Sequence, residues 1–167
     1  MRPSMRDPFA NPFSSADADR HAIWQMLVER DIDAFLAGDW AAVSGDFVDA
    51  EFSAIDARRL PDPADWRLAF PTLDAYRREW LRQAQGFSRL RFAEDPRDAI
   101  FRTTRLEAVQ IDGDRALARK CFDGGIRLAD GSFDAMNWQT LYQCRRTGDG
   151  WRITGFVGYL PYPMPKG

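Results

Sequence analysis

The sequence predicts an α+β domain in which a curved, mostly antiparallel sheet wraps around N-terminal helices. Helical periodicity dominates the first half of the chain, whereas residues 101 to 160 alternate like strands. The turn sequences IDGDR, LADGS and RTGDGW divide this second region into four strands, as in an antiparallel meander. A curved sheet that is covered by helices on one face leaves a cavity between the two layers.

The first predicted helix runs from about Asp17 to Ala37 and follows several Ser and Asp residues that could serve as its N-cap. Gly38 is placed to end it, because glycine readily adopts the left-handed conformation that terminates helices. Asp39 can then cap a short second helix in the segment WAAVSGDF. These local signals place two helices before any strand.

The segment AEFSAIDARR alternates enough to be a single strand between helices. The segment LPDPADWRLAFP, in contrast, is predicted to be a loop because of its prolines. A third helix begins after Thr72 as its N-cap, and one face of it carries apolar residues at spacings of three and four: Leu73, Tyr76, Trp80 and Ala84.

Further along, Gly124-Gly125 within a predicted strand indicates a bulge or bend rather than a phosphate-binding loop.

The chain is predicted to form one domain with two short terminal segments. Residues 1–15 contain prolines and charges and are expected to form a flexible arm, residues 16–160 the domain, and residues 161–167 a proline-rich tail. Neither a secretory signal nor a membrane span is recognisable, so a cytoplasmic protein is expected.

Composition excludes some classes of function. The formal net charge is -2, which gives no long-range attraction to nucleic acid or to anionic membranes. Cys121 and Cys144 are the two cysteines, and neither belongs to a metal-site motif, so no metal is expected. Lys120 and Lys166 are the only lysines among 23 basic residues, and the others are arginines.

Two segments, IDAFLAGDWAAVSGDFVDAEF and GDGWRITGFVGYLP, resemble the nuclear transport factor 2-like superfamily, which includes SnoaL-like polyketide cyclases and ketosteroid isomerases. The resemblance covers about residues 17–160. It implies a cone-shaped pocket between the sheet and the first and third helices, usually in a homodimer. It also implies that any chemistry would need no cofactor. The superfamily contains enzymes and non-enzymes, so the resemblance does not fix the function.

Asp31 interrupts the apolar stripe of the first helix. With Ile23 at zero and steps of about 100° per residue, Asp31 falls at about 80°, between Leu27 and Trp24. A carboxylate that points inward is costly unless it is paired or hydrogen-bonded. Asp31 is therefore predicted to be either an acid/base group in the pocket or a structural ion-pair partner, for which the chain offers many arginines.

Asp56 is the second candidate acid/base residue. By the resemblance it lies within one residue of the isomerases' catalytic base, at the end of the first strand. A shift of one residue in a strand turns the side chain to the opposite face of the sheet, so a surface ion pair with Arg58 or Arg59 is an equally good interpretation.

In the segment MNWQTLYQC, the face with Trp138 and Tyr142 is predicted to line the pocket rather than the face with Asn137, Gln139 and Gln143.

These expectations define a candidate site. Its acid/base residues are Asp31 and Asp56, and its predicted pocket residues are Trp24, Leu27, Phe35, Tyr76, Trp80, Trp138, Tyr142 and Phe156. The leading hypothesis is a protein that binds a small, mostly apolar ligand and catalyses cofactor-free isomerisation, dehydration or ring closure. The alternatives are a non-catalytic module that binds a hydrophobic ligand, and a structural dimerisation domain whose cavity is filled by tryptophans.

Overall fold

The computed structural model describes residues 5–148 and 150–166. The predicted first helix is present, and it consists of α1 (Ala18–Trp24), a π-helical stretch (Gln25–Arg30) and α2 (Asp31–Ala37) without a break. Gly38 ends the helix with φ at 64°. The short α3 (Ala41–Ser44) follows, as the segment WAAVSGDF predicts.

Two longer helices complete the helical layer. The helix α4 (Leu73–Ser88) begins after Thr72, whose hydroxyl accepts a hydrogen bond from the backbone N–H of Ala75 at 3.2 Å. The helix α5 (Pro96–Thr103) was not predicted from the sequence. Asp95 caps this helix and Pro96 lies in its first turn, which is a typical helix start, and its last residues, 101–103, lie in the region that was predicted to be strand.

Six strands form one sheet in the spatial order β2-β1-β6-β5-β4-β3. Only β1 and β6 pair in parallel, and all other neighbours are antiparallel. The strands are β1 (Ser53–Asp56), β2 (Arg67–Phe70), β3 (Thr104–Asp112), β4 (Arg115–Arg127), β5 (Phe133–Thr147) and β6 (Gly150–Pro161). Short 3₁₀ helices cover Asp49–Glu51 and Pro63–Asp65.

The strand β2 corrects the prediction that the segment LPDPADWRLAFP is loop. The prolines of this segment lie outside the four residues of β2, and the strand pairs only with β1 at the edge of the sheet. Proline is compatible with the ends of such an edge strand. The fold class is therefore the predicted one, with β2 and α5 as a strand and a helix that the sequence did not indicate.

The N-terminal segment from residue 5 onward contacts the domain through Arg6 and Phe9. The Arg6 guanidinium donates a hydrogen bond to the carbonyl of Thr104 at 2.6 Å. The ring of Phe9 lies 4.9 Å from the ring of Phe101. Residues 1–4, Asp149 of the last turn and Gly167 of the tail lie outside the described residues. No helix in the described part of the chain is long and apolar enough to cross a membrane.

Candidate functional site

A cavity of about 410 Å³ lies between the helical layer and the inner face of the sheet. Its wall contains many aromatic side chains and is formed by residues of α2, α4, α5, β4, β5 and β6. Asp31 and six of the predicted pocket residues border it: Phe35, Tyr76, Trp80, Trp138, Tyr142 and Phe156. The face of β5 that carries Trp138 and Tyr142 is therefore the cavity face, whereas Gln139 is buried with its amide donating to the carbonyl of Pro161 at 2.8 Å.

Trp24 and Leu27 do not border this cavity. Both are buried in the core, and Trp24 lies beneath the N-terminal segment, next to Asn11 and Pro12. For Trp24, the π-helical stretch Gln25–Arg30 explains the difference, because its i→i+5 hydrogen bonds turn the chain less per residue than an α-helix does. Trp24 precedes the stretch and is therefore rotated away from Asp31 and Phe35, which a uniform step of 100° per residue places on the same side.

Asp31 forms an ion pair with a lysine rather than with one of the many arginines. The Nζ atom of Lys120 lies 2.9 Å from Oδ2 of Asp31 and also donates to the carbonyl of Leu27 at 2.5 Å. The Lys120 side chain is only 1% exposed, so its ammonium depends on these two acceptors. The ring of Phe122, 5.2 Å from Nζ, adds a cation–π contact.

The two oxygens of the Asp31 carboxylate are in different environments. Oδ2 is bound by Lys120, whereas Oδ1 receives only a long contact from Nε1 of Trp80 at 3.5 Å. The Asp31 side chain remains 31% exposed and borders the cavity. Asp31 is therefore both an ion-pair partner and a group that a ligand can reach.

Sequence reasoning missed Lys120, although a signal for it exists. In β4, Lys120 lies at the same alternation phase as Ala116 and Ala118, both of which are buried. Residues two apart in a strand point to the same face, so the alternation directs this lysine inward. A lone inward lysine in an arginine-rich chain marks a buried cation that needs an anionic partner.

Two tyrosines border the same cavity as Asp31. Burial raises the pKa of Tyr76 well above its ordinary value, and the neighbouring Tyr142 and the Asp31 carboxylate add to this shift. Burial likewise raises the pKa of Tyr142, with Asp31 as the next cause. Both hydroxyls therefore remain protonated at neutral pH and can donate hydrogen bonds to a ligand.

Asp56 does not border the cavity. It ends β1, and its Oδ1 accepts a hydrogen bond from the backbone N–H of Arg58 at 2.7 Å. The interaction caps a turn rather than forming the side-chain ion pair that the sequence also allowed. The structure thus separates the two candidate acid/base residues and leaves Asp31 alone at the cavity.

No group of three or more His, Cys, Asp or Glu side chains in the described ranges is arranged to hold a metal ion. The single histidine, His21, lies away from the cavity, with Nδ1 2.9 Å from the carbonyl of Phe13. The polar residues that border the cavity include Asp31, Lys120, Tyr76, Tyr142 and Thr140.

No protein-family model matches the chain, and no curated protein matches it. Several solved structures, in contrast, match it in fold. An NTF2-like protein from Shewanella baltica superposes with a TM-score of 0.54 at 12% identity, covering 87% of this chain and 96% of that one. One from Pseudomonas putida gives 0.54 at 20% identity, with 89% of each chain covered. An NTF2-like protein with a cystatin-like fold from Novosphingobium aromaticivorans gives 0.53 at 19% identity, covering 87% and 84%.

These likenesses extend over most of each chain, and they share the arrangement of N-terminal helices against a curved sheet. Identities this low carry information about the fold and not about chemistry. The resemblance that the two sequence segments suggested is confirmed at this level: the chain has the fold of the nuclear transport factor 2-like superfamily.

Proposed function

We propose that this protein binds a small, mostly apolar carbonyl compound in the aromatic cavity and catalyses a cofactor-free proton transfer on it, with Asp31 as the base. The observation that carries the proposal is the half-paired carboxylate. Lys120 occupies Oδ2, while Oδ1 borders the cavity with only a 3.5 Å contact to Trp80. Such an oxygen can accept a proton from a ligand while Lys120 stays hydrogen-bonded to Oδ2 of the then neutral carboxyl group.

The proposed proton transfer needs only groups that border the cavity. Oδ1 of Asp31 takes a proton from the carbon next to the ligand's carbonyl group, and the C–H electron pair becomes the C=C bond of an enolate. The negative charge that develops on the carbonyl oxygen is stabilised by hydrogen bonds from Tyr76 and Tyr142, which remain protonated. Return of the proton to the same or a different carbon gives exchange or isomerisation.

The apolar wall supports this role. Phe35, Trp80 and Phe156 border the cavity together with Asp31, and apolar surroundings strengthen the interactions among the charged and polar groups that they enclose. A ligand with a flat apolar body fits between these rings, and its polar group would face Asp31 at depth.

A second candidate function is the binding of a hydrophobic ligand without catalysis. The ion pair itself favours it, because the buried Lys120 needs a counter-charge and thus gives Asp31 a purely structural reason to be present. The two functions predict equal binding but different chemistry, so they can be separated experimentally.

The test uses 2-tetralone, a neutral ketone with acidic protons next to the carbonyl group. We expect the wild-type protein to speed deuterium incorporation at these positions in D₂O, followed by NMR. Asp31→Asn should slow the protein-catalysed exchange by about a hundredfold or more, because a positioned base contributes at least that much. Binding of 2-tetralone, measured by quenching of tryptophan fluorescence, should persist.

Asp33→Asn is the matched control, since Asp33 lies on the exposed side of the same helix and pairs with Arg97. Because Asp31→Asn leaves Lys120 without its counter-charge, Tyr142→Phe serves as a second variant that keeps the ion pair. Binding without exchange in the wild-type protein would establish the non-catalytic function instead. Equal exchange rates for Asp31→Asn and Asp33→Asn would remove Asp31 from the mechanism.

We also propose that the protein is a homodimer, as the resemblance implies. Leu117 on β4 is 40% exposed between two buried alanines, which places an apolar side chain on the outer face of the sheet. Sedimentation equilibrium should give twice the chain mass of 19.1 kDa. A single species of 19.1 kDa at micromolar concentration would contradict this prediction.

A further inference from the structure

Backbone strain is concentrated at one side of the cavity. Three non-glycine residues of the described chain have positive φ: Arg58 at 56°, Arg59 at 60° and Tyr159 at 56°. They belong to one cluster, because the backbone N–H of Arg59 donates to the carbonyl of Tyr159 at 2.7 Å. Left-handed conformations are costly for such residues and are often retained where they position a ligand-binding group.

The strained turn holds the Arg59 guanidinium over the ring of Trp138. The guanidinium carbon lies 5.2 Å from the centre of that ring, and the ring of Tyr159 lies 5.8 Å from it, tilted by 39°. Asp56 caps the turn through its hydrogen bond from the Arg58 N–H. Arg59, Trp138 and Tyr159 all border the cavity, so the exposed Arg59 forms part of its rim.

Arg59 differs from the other cations of the cavity wall. Lys120 is neutralised by Asp31, and Arg82 by Glu79. In residues 5–148 and 150–166, no carboxylate lies within ion-pair distance of the Arg59 guanidinium, and stacking on Trp138 leaves its edge N–H groups free. A guanidinium that is fixed by stacking can bind a carboxylate through two parallel hydrogen bonds.

Asp134 is the other charged wall residue for which the described structure gives no ion pair. It lies on β5, four residues before Trp138, which corresponds to about 13 Å along a strand. The positive and negative ends of the rim are therefore apart, and an anionic group would be favoured only at the Arg59 end.

We propose that Arg59, supported by Trp138, is the recognition site for an anionic group on the ligand. The ligand class is then a flat apolar compound with a carboxylate at the rim and its apolar body in the aromatic cavity. This inference rests on the proposed function, because it assumes that the cavity takes up such a compound. Asp56 would act as a positioning residue for the turn that presents Arg59.

The test compares 2-naphthoate, an anion at pH 7.5, with its neutral analogue 2-naphthamide by isothermal titration calorimetry. We expect the wild-type protein to bind 2-naphthoate about tenfold more tightly than 2-naphthamide, as a charge-assisted hydrogen-bond pair would give. Arg59→Gln should abolish this preference, so that the two compounds bind with equal affinity. Arg58→Gln is the matched control, because it removes an equal charge from the same turn at a residue that does not border the cavity.

The outcomes separate the two proposals. Equal affinity of the wild-type protein for the two compounds would overturn the role of Arg59 while leaving the cavity as a binding site. A preference for 2-naphthoate that survives in Arg59→Gln, or that is lost equally in Arg58→Gln, would also overturn it. If neither compound binds to the wild-type protein, uptake of flat apolar compounds fails, and the inference fails with it.

Discussion

Lys120→Met is expected to lower the free energy of unfolding by about 3–5 kcal/mol, which is typical when one member of a buried ion pair is removed. The lysine is 1% exposed, and its loss leaves the Asp31 carboxylate and the Leu27 carbonyl without their shared donor. The lower end of the range is expected, because 31% of the Asp31 side chain remains accessible. Urea unfolding followed by tryptophan fluorescence measures the change.

Lys166→Met is the matched control, since it changes the other lysine of the chain at an exposed position of the tail. Its effect should stay within about 0.5 kcal/mol, as for most surface substitutions. The double variant Asp31→Asn/Lys120→Met should lose less stability than the sum of its single variants, because it leaves no unpaired charge. Equal stabilities of Lys120→Met and Lys166→Met would show that the buried pair contributes nothing to folding.

The elements that the sequence predicted correctly are those with local signals. Gly38 can adopt the left-handed conformation that ends a helix, and Thr72 can cap the next one, so both boundaries follow from the residues themselves. The four strands after residue 103 are similarly marked by alternation and by turn sequences. The helix α5 has a local signal too, the Asp-Pro pair at its start, although the helix was not predicted.

The parts of the site that the sequence did not reveal depend on non-local geometry. The π-helical stretch Gln25–Arg30 has no sequence signature, yet it rotates Trp24, which precedes it, away from the cavity. The side chain of Asp31 was predicted to point inward, but its partner Lys120 lies 89 positions away, on a strand whose pairing only the fold defines. Arg59 was not identified from the sequence either, because it reaches the rim through a strained turn that only the fold defines.

Gly125→Ala is expected to destabilise the protein by about 3–4 kcal/mol, because it forces the two longest strands apart. Gly125 lies in β4 with φ at 153°, and a Cβ atom there would lie 2.3 Å from the backbone carbonyl oxygen of Asp134 in β5. The hydrogen-bonded pairing of β4 and β5 continues through this point without a bulge, so neither strand can shift locally to make room for the added atom. Thermal and urea unfolding both report the loss.

The clash cannot be relieved by a side-chain rotation, since its partner is backbone. Relief would require a shift of β4 against β5, the strands that carry Lys120 and Trp138 into the cavity. The ligand affinity of Gly125→Ala should therefore fall together with its stability. Gly45→Ala is the control, because Gly45 has a helical φ of -72° and open space where the Cβ would lie, so it should be neutral or slightly stabilising. Equal stability of the two variants would show that β4 and β5 are not in such close contact at Gly125.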